Sequence, residues 1–500
     1  MPEQSINLRK QFPQPEAIQL IPEDMARKYS AIPVSINGNT LIVAMSDPSD
    51  IFALEALASQ SHMRIEPQAA TPQEIVESID FNYQSYEEIE KQVSNIDVNK
   101  ESDSDQIRLN TVTDAPVAQA LNLLIDEAVK ARASDIHVQP QEDKLRVRYR
   151  IDGTLHDTLS LPLATAVPLI SRIKVLGNMN IADRYRPQDG QFSVEAKGRL
   201  LDVRVATTPT VFGEMAAMRL LYKARATMTL PELGFSHDSL VMYEKMLKVH
   251  YGMILVSGPT GGGKTTTLYA SINCLDRVGR NIITIEDPVE YRFTNINQIQ
   301  VNPKAGMTFA SGLRSILRLD PNVILVGEIR DAETANIAIQ SALTGHLVLS
   351  SIHANDAVGV VFRLLDLGVD PFMVASSLAG IVSQRMVRRV CNECAQPVKV
   401  SLLEQMIYTK EARDERTEFL YGSGCLSCAH TGYMGRMGIF EILRMTDEIR
   451  TMLIKGTSTG ELRAEALREG MVTLLKDGML KVKDNLTTPS EVLRNAYALD

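Results

Sequence analysis

The chain has 500 residues, of which 44% are hydrophobic and 23% charged, and its formal net charge is −9. This length implies two to four domains with sizeable cores. The acidic balance argues against a protein that binds nucleic acid over its whole surface. No run approaches 18 uncharged apolar residues, and the first residues lack a charged segment followed by an apolar one. We therefore expect neither a membrane span nor a signal peptide, and any membrane association would pass through protein partners or a surface patch.

Residues 1–83 predict a small α/β domain. Helices are predicted at 22–29, 50–60 and 71–83, and strands at 31–36, 40–44 and 63–67. The domain contains no catalytic constellation, which favours a docking or adaptor role. Residues 84–112 are rich in acidic residues, serine and asparagine and poor in glycine and aromatic residues, so they predict a solvated linker.

A second domain is predicted at 113–222. It begins with an amphipathic helix after Asp114 and continues with strands, a helix at 163–176 and further strands. Strand alternation places Arg146, Arg148 and Arg150 on one face. A solvated outer face is the favoured interpretation, and a basic surface that meets a phosphate or an acidic neighbouring subunit is the alternative.

Residues 223–235 predict a hinge because Pro231 and Gly234 break regular structure. The next segment, 236–388, alternates short apolar runs with helical patterns. The predicted strands are 253–257, 281–286, 322–328 and 346–352, and the predicted helices are 265–275, 308–319, 332–344 and 357–368. Continuous apolar strands between helices indicate a parallel sheet covered on both faces, whose ligands bind beyond the carboxyl ends of the strands.

A phosphate-binding loop follows the first of these strands, and it has the pattern G-x-x-x-x-G-K-[ST] between a strand and a helix. Its glycines allow positive φ and close approach, and the helix that follows directs free N–H groups at the same phosphates. Lys264 can reach the β and γ phosphates of ATP, and the Thr265 hydroxyl can ligate Mg²⁺. The candidate nucleotide-binding residues are Gly258, Pro259, Thr260, Gly261, Gly262, Gly263, Lys264, Thr265 and Thr266.

Acidic residues follow two of the other predicted strands. Glu286 ends one apolar strand and Glu328 ends another, as in a Walker B strand. ATP hydrolysis requires an acid near Mg²⁺ and a group that orients the attacking water. Both glutamates are candidates, and the sequence leaves open which performs which role.

Two histidines, His346 and His353, flank the last predicted strand. They are seven residues apart, so strict alternation puts them on opposite faces unless the strand ends before His353. A contact with the γ-phosphate or a structural hydrogen bond is favoured over metal ligation for both.

Four cysteines form two C-x-x-C pairs, Cys391 with Cys394 and Cys425 with Cys428. In a chain without a signal peptide, such pairs favour a metal in a reducing compartment over disulfides. Four thiolates can surround Zn²⁺ tetrahedrally and leave no open position, so the predicted role is structural. Free thiols or disulfides are the alternative.

These motifs together resemble the ATPases of type II secretion and type IV pilus assembly, a family similar to general secretion pathway protein E. The resemblance covers about 113–500. The resemblance rests on the segments Ala133–His137, Arg186–Gly190, Gly258–Thr267, Glu286–Glu290, Val326–Asp331, Thr344–His353, the cysteine pairs and Gly432–Glu441. The sequence departs from the family at Met215, where relatives often have arginine, and it lacks the Arg-Leu-Gly repeats with which some relatives bind cyclic di-GMP.

The resemblance implies an α/β multidomain fold in which a PAS-like domain precedes a RecA-like ATPase domain. It implies six subunits in a ring, with ATP between the two domains. Arg204 and Arg219 of the PAS-like domain correspond to arginines that face phosphate, and Arg314 and Arg318 to further site arginines. The cysteine lobe is similar to the zinc-bearing insert of secretion and pilus-extension members, which retraction members lack.

The sequence thus predicts seven segments: a docking domain (1–83), a linker (84–112), a PAS-like domain (113–222), a hinge (223–235), a RecA-like domain (236–388), a tetracysteine lobe (389–436) and a helical C-terminal segment (437–500). The predicted cofactors are ATP, Mg²⁺ and Zn²⁺. We expect a cytoplasmic homohexamer that is bound through its N-terminal domain to secretion or pilus platform proteins of the inner membrane. We expect this hexamer to drive pseudopilus assembly and protein export.

Three alternatives remain. The first is a type IV pilus extension ATPase. The second is a nucleic-acid motor, which the acidic charge, the lack of tryptophan and the missing basic and aromatic surface disfavour. The third is a nucleotide-sensing scaffold with little hydrolysis, which the presence of both Glu286 and Glu328 disfavours.

Overall fold

A computed structural model of the chain describes residues 6, 8, 13–76, 78, 79, 83, 115–222 and 228–496. The predicted linker at 84–112 and the first part of the predicted hinge lie outside this range. The chain forms two compact units. Unit 1 comprises residues 1–222, 391–395 and 422–434, and unit 2 comprises residues 223–390, 396–421 and 435–500.

Unit 1 begins with a three-stranded sheet and short helices. The elements are α1 (Pro15–Ile18), α2 (Glu23–Lys28), β1 (Ala31–Asn37), β2 (Thr40–Met45), α3 (Ile51–Ser61) and β3 (Arg64–Ala69). Strand β2 pairs antiparallel with β1 and parallel with β3. The predicted helix at 71–83 is helical at the described positions 72–76, 78, 79 and 83, and Thr71 and Glu74 form a capping box at its start. The predicted α/β character of this domain is therefore confirmed.

The larger part of unit 1 is a six-stranded antiparallel sheet with two helices. Its elements are α4 (Ala115–Lys130), β4 (Ala133–Pro140), β5 (Lys144–Ile151), β6 (Thr154–Pro162), α5 (Ala166–Leu176), β7 (Gln188–Ala196), β8 (Arg199–Thr210) and β9 (Gly213–Leu221), and a 3₁₀ turn (Leu163–Thr165) leads into α5. The strand order is β6-β5-β4-β9-β8-β7. The apolar faces of α4 and α5 pack against one face of this sheet, which leaves the polar face with the arginines uncovered by them.

Unit 2 alternates strands and helices as predicted. After a 3₁₀ turn (Pro231–Leu233) it contains α6 (His237–Leu247), β10 (Gly252–Ser257), α7 (Lys264–Asn273), β11 (Ile282–Glu286), β12 (Asn297–Gln300), a 3₁₀ turn (Pro303–Ala305), α8 (Phe309–Ile316), β13 (Val323–Ile329), α9 (Ala332–Leu343), β14 (Leu347–Ile352), α10 (Ala357–Asp366), α11 (Pro371–Ser377) and β15 (Leu378–Val390). Strands β10, β11, β13 and β14 are parallel to their neighbours, which confirms the predicted parallel sheet.

The chain between the two cysteine pairs forms β16 (Ala395–Lys399), α12 (Leu402–Ala412) and β17 (Glu418–Gly422). A 3₁₀ turn (Leu426–Cys428) follows Cys425 and ends at Cys428. Strands β16 and β17 form a two-stranded sheet. Tyr408 of α12 belongs to a buried cluster with Leu474, Met479 and Val492 from the C-terminal helices. Most of this insert is therefore part of unit 2, whereas the cysteines are part of unit 1.

The C-terminal segment differs in part from the expectation of helices alone. It begins within β18 (Tyr433–Arg444), whose apolar residues Ile439, Phe440 and Ile442 are buried, because this strand extends the central sheet. Helices follow as predicted: α13 (Asp447–Ile454), α14 (Thr459–Arg468), α15 (Leu474–Lys483) and α16 (Pro489–Ala496). The complete sheet has the order β12-β11-β13-β14-β10-β15-β18. Among the described residues, no helix has both the length and the hydropathy required to cross a bilayer.

Candidate nucleotide site and metal centre

The phosphate loop joins β10 to α7 at the carboxyl end of the parallel sheet. Gly261 and Gly263 have φ of +74° and +84°, so these two positions use the left-handed region that favours glycine. Gly262 is needed for a different reason: a Cβ atom there would lie 2.9 Å from the Pro259 carbonyl oxygen. The first turn of α7 starts at Lys264 and points its free N–H groups into the loop.

Strand β15 contacts the phosphate loop through Gln384. The Gln384 amide donates a hydrogen bond to the Gly262 carbonyl oxygen at 2.5 Å, and its oxygen accepts one from the Thr267 hydroxyl at 2.7 Å. A Cβ atom on Gly258 would lie 2.3 Å from the Gln384 carbonyl oxygen, so only glycine permits this approach. The sequence analysis did not identify Gln384, because a glutamine more than 100 residues away carries no local signal.

Lys264 and Glu328 belong to the same electrostatic environment. The Lys264 ammonium donates to the carbonyl oxygens of Gly258 and Pro259 at 2.8 and 3.0 Å. Burial lowers the pKa of Lys264, and the charge of Glu328 opposes that shift. Thr265 and Thr266 follow Lys264 on the first turn of α7, where the Thr265 side chain is exposed.

Glu328, near the end of β13, contacts an arginine and a histidine side chain. Arg330 forms an ion pair with one carboxylate oxygen, and the His353 Nε2 atom lies 3.4 Å from the other. The hydrogen bond to Glu328 raises the pKa of Arg330, and burial opposes this shift. Glu328 keeps 17% of its side chain exposed, so it combines a fixed position with access to solvent.

Glu286, at the end of β11, lies in a closed environment. Only 3% of its surface is exposed. Its carboxylate accepts hydrogen bonds from the Thr284 hydroxyl at 2.6 Å, from the Gln298 amide at 3.1 Å and from the Tyr269 hydroxyl. The two acids therefore differ: Glu328 faces an arginine and a histidine, whereas Glu286 is held by neutral donors. The sequence could have suggested Thr284, which lies two residues before Glu286 on the same strand face.

The two histidines lie at opposite ends of β14, because the strand ends before His353. His353 follows the carboxyl end and faces Glu328. His346 precedes the amino end, and its Nδ1 atom lies 2.9 Å from the Ser341 carbonyl oxygen. The structure therefore brings His353, but not His346, to the edge of the sheet that carries the phosphate loop.

The four arginines suggested by the resemblance occupy two settings. In unit 1, Arg204 and Arg219 lie directly opposite each other on β8 and β9, and Arg219 donates to Asp135 at 3.0 Å. In unit 2, Arg314 pairs with Glu333 at 2.5 Å, and Arg318 is exposed beyond the end of α8. The ion pair of Arg314 thus links α8 to α9.

Arg146, Arg148 and Arg150, on one face of the six-stranded sheet, each have a local partner. Arg146 forms two hydrogen bonds of 2.6 Å with Asp157, Arg148 two with Gln139, and Arg150 lies 3.6 Å from Asp135. The hydrogen bonds with Arg146 lower the pKa of Asp157. These pairings favour the interpretation of a solvated outer face.

The four cysteines of the two pairs come together within unit 1. Their sulfur atoms all lie within 4.8 Å of one another. Three sulfur pairs are separated by 3.7, 3.8 and 3.9 Å. These distances match the sulfur–sulfur separation of about 3.8 Å in a tetrahedron with Zn–S bonds of ~2.3 Å. The geometry of the donors therefore fits a tetrahedral metal ion.

Backbone geometry supports the cysteine cluster. The N–H groups of Gly424 and Gly432 donate to the sulfurs of Cys394 and Cys428, each at 3.3 Å. Such N–H···S bonds stabilise thiolates bound to a metal. Gly422 and Gly432 lie back to back, since a Cβ atom on Gly422 would lie 2.0 Å from the Gly432 carbonyl oxygen. Ala429, directly after Cys428, packs against the core of the six-stranded sheet.

Comparison with known proteins agrees with this arrangement. The family model described as "Type II/IV secretion system protein" matches residues 110–494, and the model described as "MshEN domain" matches residues 4–88. The chain is 41% identical to the type IV pilus assembly ATPase PilB of Myxococcus xanthus over 98% of this chain and 88% of the relative. It is also 41% identical to the type II secretion system protein E of Xanthomonas campestris over 94% of this chain and 83% of the relative.

A solved structure has a similar fold. The crystal structure of the pilus retraction motor PilT with bound ADP matches with a TM-score of 0.50 and 25% identity, and the match covers 76% of this chain and 97% of that one.

Proposed function

The chain belongs to the type II/IV secretion system protein family and is an ATP hydrolase, and we propose that it uses ATP hydrolysis to drive pseudopilus assembly and protein export by a type II secretion system. The observation that supports this proposal most strongly is the convergence of Lys264, Glu328 and His353 at one edge of a parallel sheet. This edge is where ligands of such sheets bind.

In the proposed site, the backbone of Gly258–Thr265 cradles the phosphates and Lys264 neutralises their charge. The Thr265 hydroxyl and Glu328 would hold Mg²⁺, which supplies neutralisation of the charge that develops during phosphoryl transfer. Glu286 would orient the attacking water, since its three donors fix the carboxylate in one orientation. His353, whose imidazole faces Glu328, would contact the γ-phosphate.

The arginines have proposed roles as well. Arg204 and Arg219 would complete the site from the six-stranded domain, for which we propose the PAS-like assignment, and Arg314 and Arg318 would act from the RecA-like domain. His346 is left out of the proposed site, because its contacts lie at the opposite end of β14.

At the level of the assembly, we propose a homohexameric ring. A head-to-tail contact that closes on itself suits a site completed by a second copy. We further propose that the protein is cytoplasmic, that its N-terminal domain docks on inner-membrane platform proteins, and that the domain division follows the seven predicted segments. The four cysteines would hold a structural Zn²⁺.

The site assignment is tested with Lys264→Ala. Removal of the ammonium should lower steady-state phosphate release by about 100-fold or more, because preorganised charge on the transferring phosphoryl group is lost. The control is Lys455→Ala, an exposed lysine after α13, which should keep wild-type turnover. Wild-type turnover by the Lys264 variant would refute the assignment.

A type IV pilus extension ATPase is the second candidate function. It is favoured by the similarity to the PilB of Myxococcus xanthus over nearly the whole chain. The two candidates separate in cells that lack this protein. Loss of exported enzymes with intact pili would support secretion, and loss of surface pili with intact export would support pilus extension.

A further inference from the structure

The carboxylate of Glu286 is oriented by donors from three different elements. The Thr284 hydroxyl on β11 and the Gln298 amide on β12 both donate to Oε1, whereas Oε2 accepts from the Tyr269 hydroxyl on α7. Strand register sets the first two donors, because Thr284 and Gln298 are direct neighbours across β11 and β12. Together these donors use three of the roughly four acceptor positions of a carboxylate.

Tyr269 differs from the other two donors because it belongs to the helix of the phosphate loop. Helix α7 begins at Lys264, and Tyr269 lies five residues later on its buried side. Any displacement of the loop helix is therefore transmitted to Oε2 of Glu286 through one hydroxyl group. Neither Thr284 nor Gln298 has such a link to the loop.

The segment that follows Glu286 encloses the Tyr269 side chain. The Glu290 backbone N–H donates to the Tyr269 hydroxyl at 3.3 Å. The rings of Phe293 and Tyr291 meet the Tyr269 ring edge-on, with centroids 4.9 and 6.3 Å away. Gln298 fixes this segment in turn, since it bonds to the backbone of Phe293 and Tyr291 at 2.9 Å each.

The phenol remains a hydrogen-bond donor over the physiological pH range. Burial raises the pKa of Tyr269, and the charge of Glu286 raises it further. A protonated hydroxyl can donate only one hydrogen bond, and Glu286 receives it. The direction of the interaction is therefore fixed.

We propose that Tyr269 is the positioning residue that sets Glu286 relative to the phosphate loop, so that the remaining acceptor position of the carboxylate points at the attacking water. This inference rests on the proposed ATP hydrolysis at the loop. Tyr269 acts through Glu286 and does not itself touch the nucleotide. Its hydroxyl should therefore affect the chemical step and leave nucleotide binding nearly unchanged.

The variant Tyr269→Phe removes the hydroxyl and keeps the ring contacts. We expect kcat for ATP hydrolysis to fall at least tenfold, while KM and the Kd of a non-hydrolysable ATP analogue change less than threefold. In single-turnover measurements, adding Tyr269→Phe to Glu286→Gln should change the rate less than twofold, because the group that it positions is already altered. Independent, multiplicative losses would overturn the proposal.

The matched control is Tyr243→Phe. Tyr243 is also buried, and its hydroxyl pairs with the Ser271 hydroxyl of helix α7, 2.7 Å away, and not with Glu286. This control should lose a comparable amount of thermal stability and keep kcat within twofold. Equal kcat values for the two variants would show that the Tyr269 hydroxyl has only a structural role.

A second variant covers the case in which Tyr269→Phe does not fold. Thr284→Val removes the 2.6 Å donor to Oε1 without changing the side-chain shape, and it should also lower kcat with little change in KM. Wild-type kcat in that variant would overturn the proposal, because it would show that the orientation of the Glu286 carboxylate does not affect the chemical step. These variants distinguish failure of this inference from failure of the proposed function. An inactive Lys264→Ala variant together with wild-type kcat in Tyr269→Phe would reject only this inference. An active Lys264→Ala variant would reject the hydrolytic site itself.

Discussion

At the scale of residues, two glutamates with similar sequence contexts have different surroundings. Both end an apolar strand, and both sequence patterns suit an acid beside a nucleotide. In the structure Glu328 contacts Arg330 and His353, whereas Glu286 is enclosed by neutral donors. The neighbours that make the difference come from other elements, and this explains why the sequence left the two roles open.

We predict that Glu328→Gln binds ATP but hydrolyses it slowly. The amide keeps the size of the side chain and loses the charge beside Lys264 and His353, so phosphate release should fall about 100-fold. Filter retention of labelled ATP and a phosphate-release assay measure the two properties separately. Glu448→Gln, an exposed position in the first turn of α13, serves as control. Undiminished turnover in the Glu328 variant would contradict this role.

At the scale of elements, the sequence predicted those strands that are continuous apolar runs. Strands β10, β11, β13 and β14 are almost wholly buried, so composition alone marked them. The sequence analysis did not identify β12, a short polar strand at the sheet edge, or β15, whose buried Gln384 serves the phosphate loop. Polar residues that satisfy tertiary contacts interrupt the pattern on which such predictions depend.

A buried ion pair within helix α15 (Asp477 with Lys481) lies against strand β18. Asp477 and Lys481 are 2% and 6% exposed in their side chains, and Asp477 also accepts the backbone N–H of Phe440 at 2.8 Å. The ammonium lies 5.2 Å from the centre of the Phe440 ring. Because burial lowers the pKa of Lys481 while Asp477 opposes this shift, the lysine depends on its partner for its charge.

We predict that Asp477→Ala lowers the free energy of unfolding by about 3–5 kcal/mol, since it leaves both a buried ammonium and a backbone N–H without their acceptor. Denaturant unfolding measures the change. The control is Glu465→Ala, which breaks an exposed pair with Arg468 on α14 and should have little effect. A small change in the Asp477 variant would mean that solvent reaches Lys481.

At the scale of the whole molecule, the division into compact units does not follow the order of the sequence. Residues 391–395 and 422–434 belong to unit 1, while the insert between them belongs to unit 2. The sequence placed both pairs and the insert in one lobe, since spacing shows that cysteines can meet but gives no information on what the intervening chain packs against. The insert packs through Tyr408 of α12 against the C-terminal helices of unit 2.

We predict about one Zn²⁺ per chain in metal-replete protein, because four sulfurs fit a closed tetrahedral site. Elemental analysis measures the metal, and Cys428→Ser should lose it and melt at a lower temperature. Cys274→Ser provides the control, since this exposed cysteine lies outside the cluster and should leave both metal content and melting temperature unchanged. A wild-type protein without zinc, or a Cys428 variant that retains it, would contradict the prediction.

The contact between Gly422 and Gly432 has an evolutionary consequence. The two backbones approach so closely that any side chain at either position would collide with the other, and Gly432 also has φ of +73°. The Gly432 carbonyl oxygen accepts a hydrogen bond from the N–H of Cys391, so the contact between the two glycines lies directly beside the cysteine cluster. Selection should therefore act on the cysteines and these glycines as one inherited unit, and lineages that lose the former should become free to replace the latter.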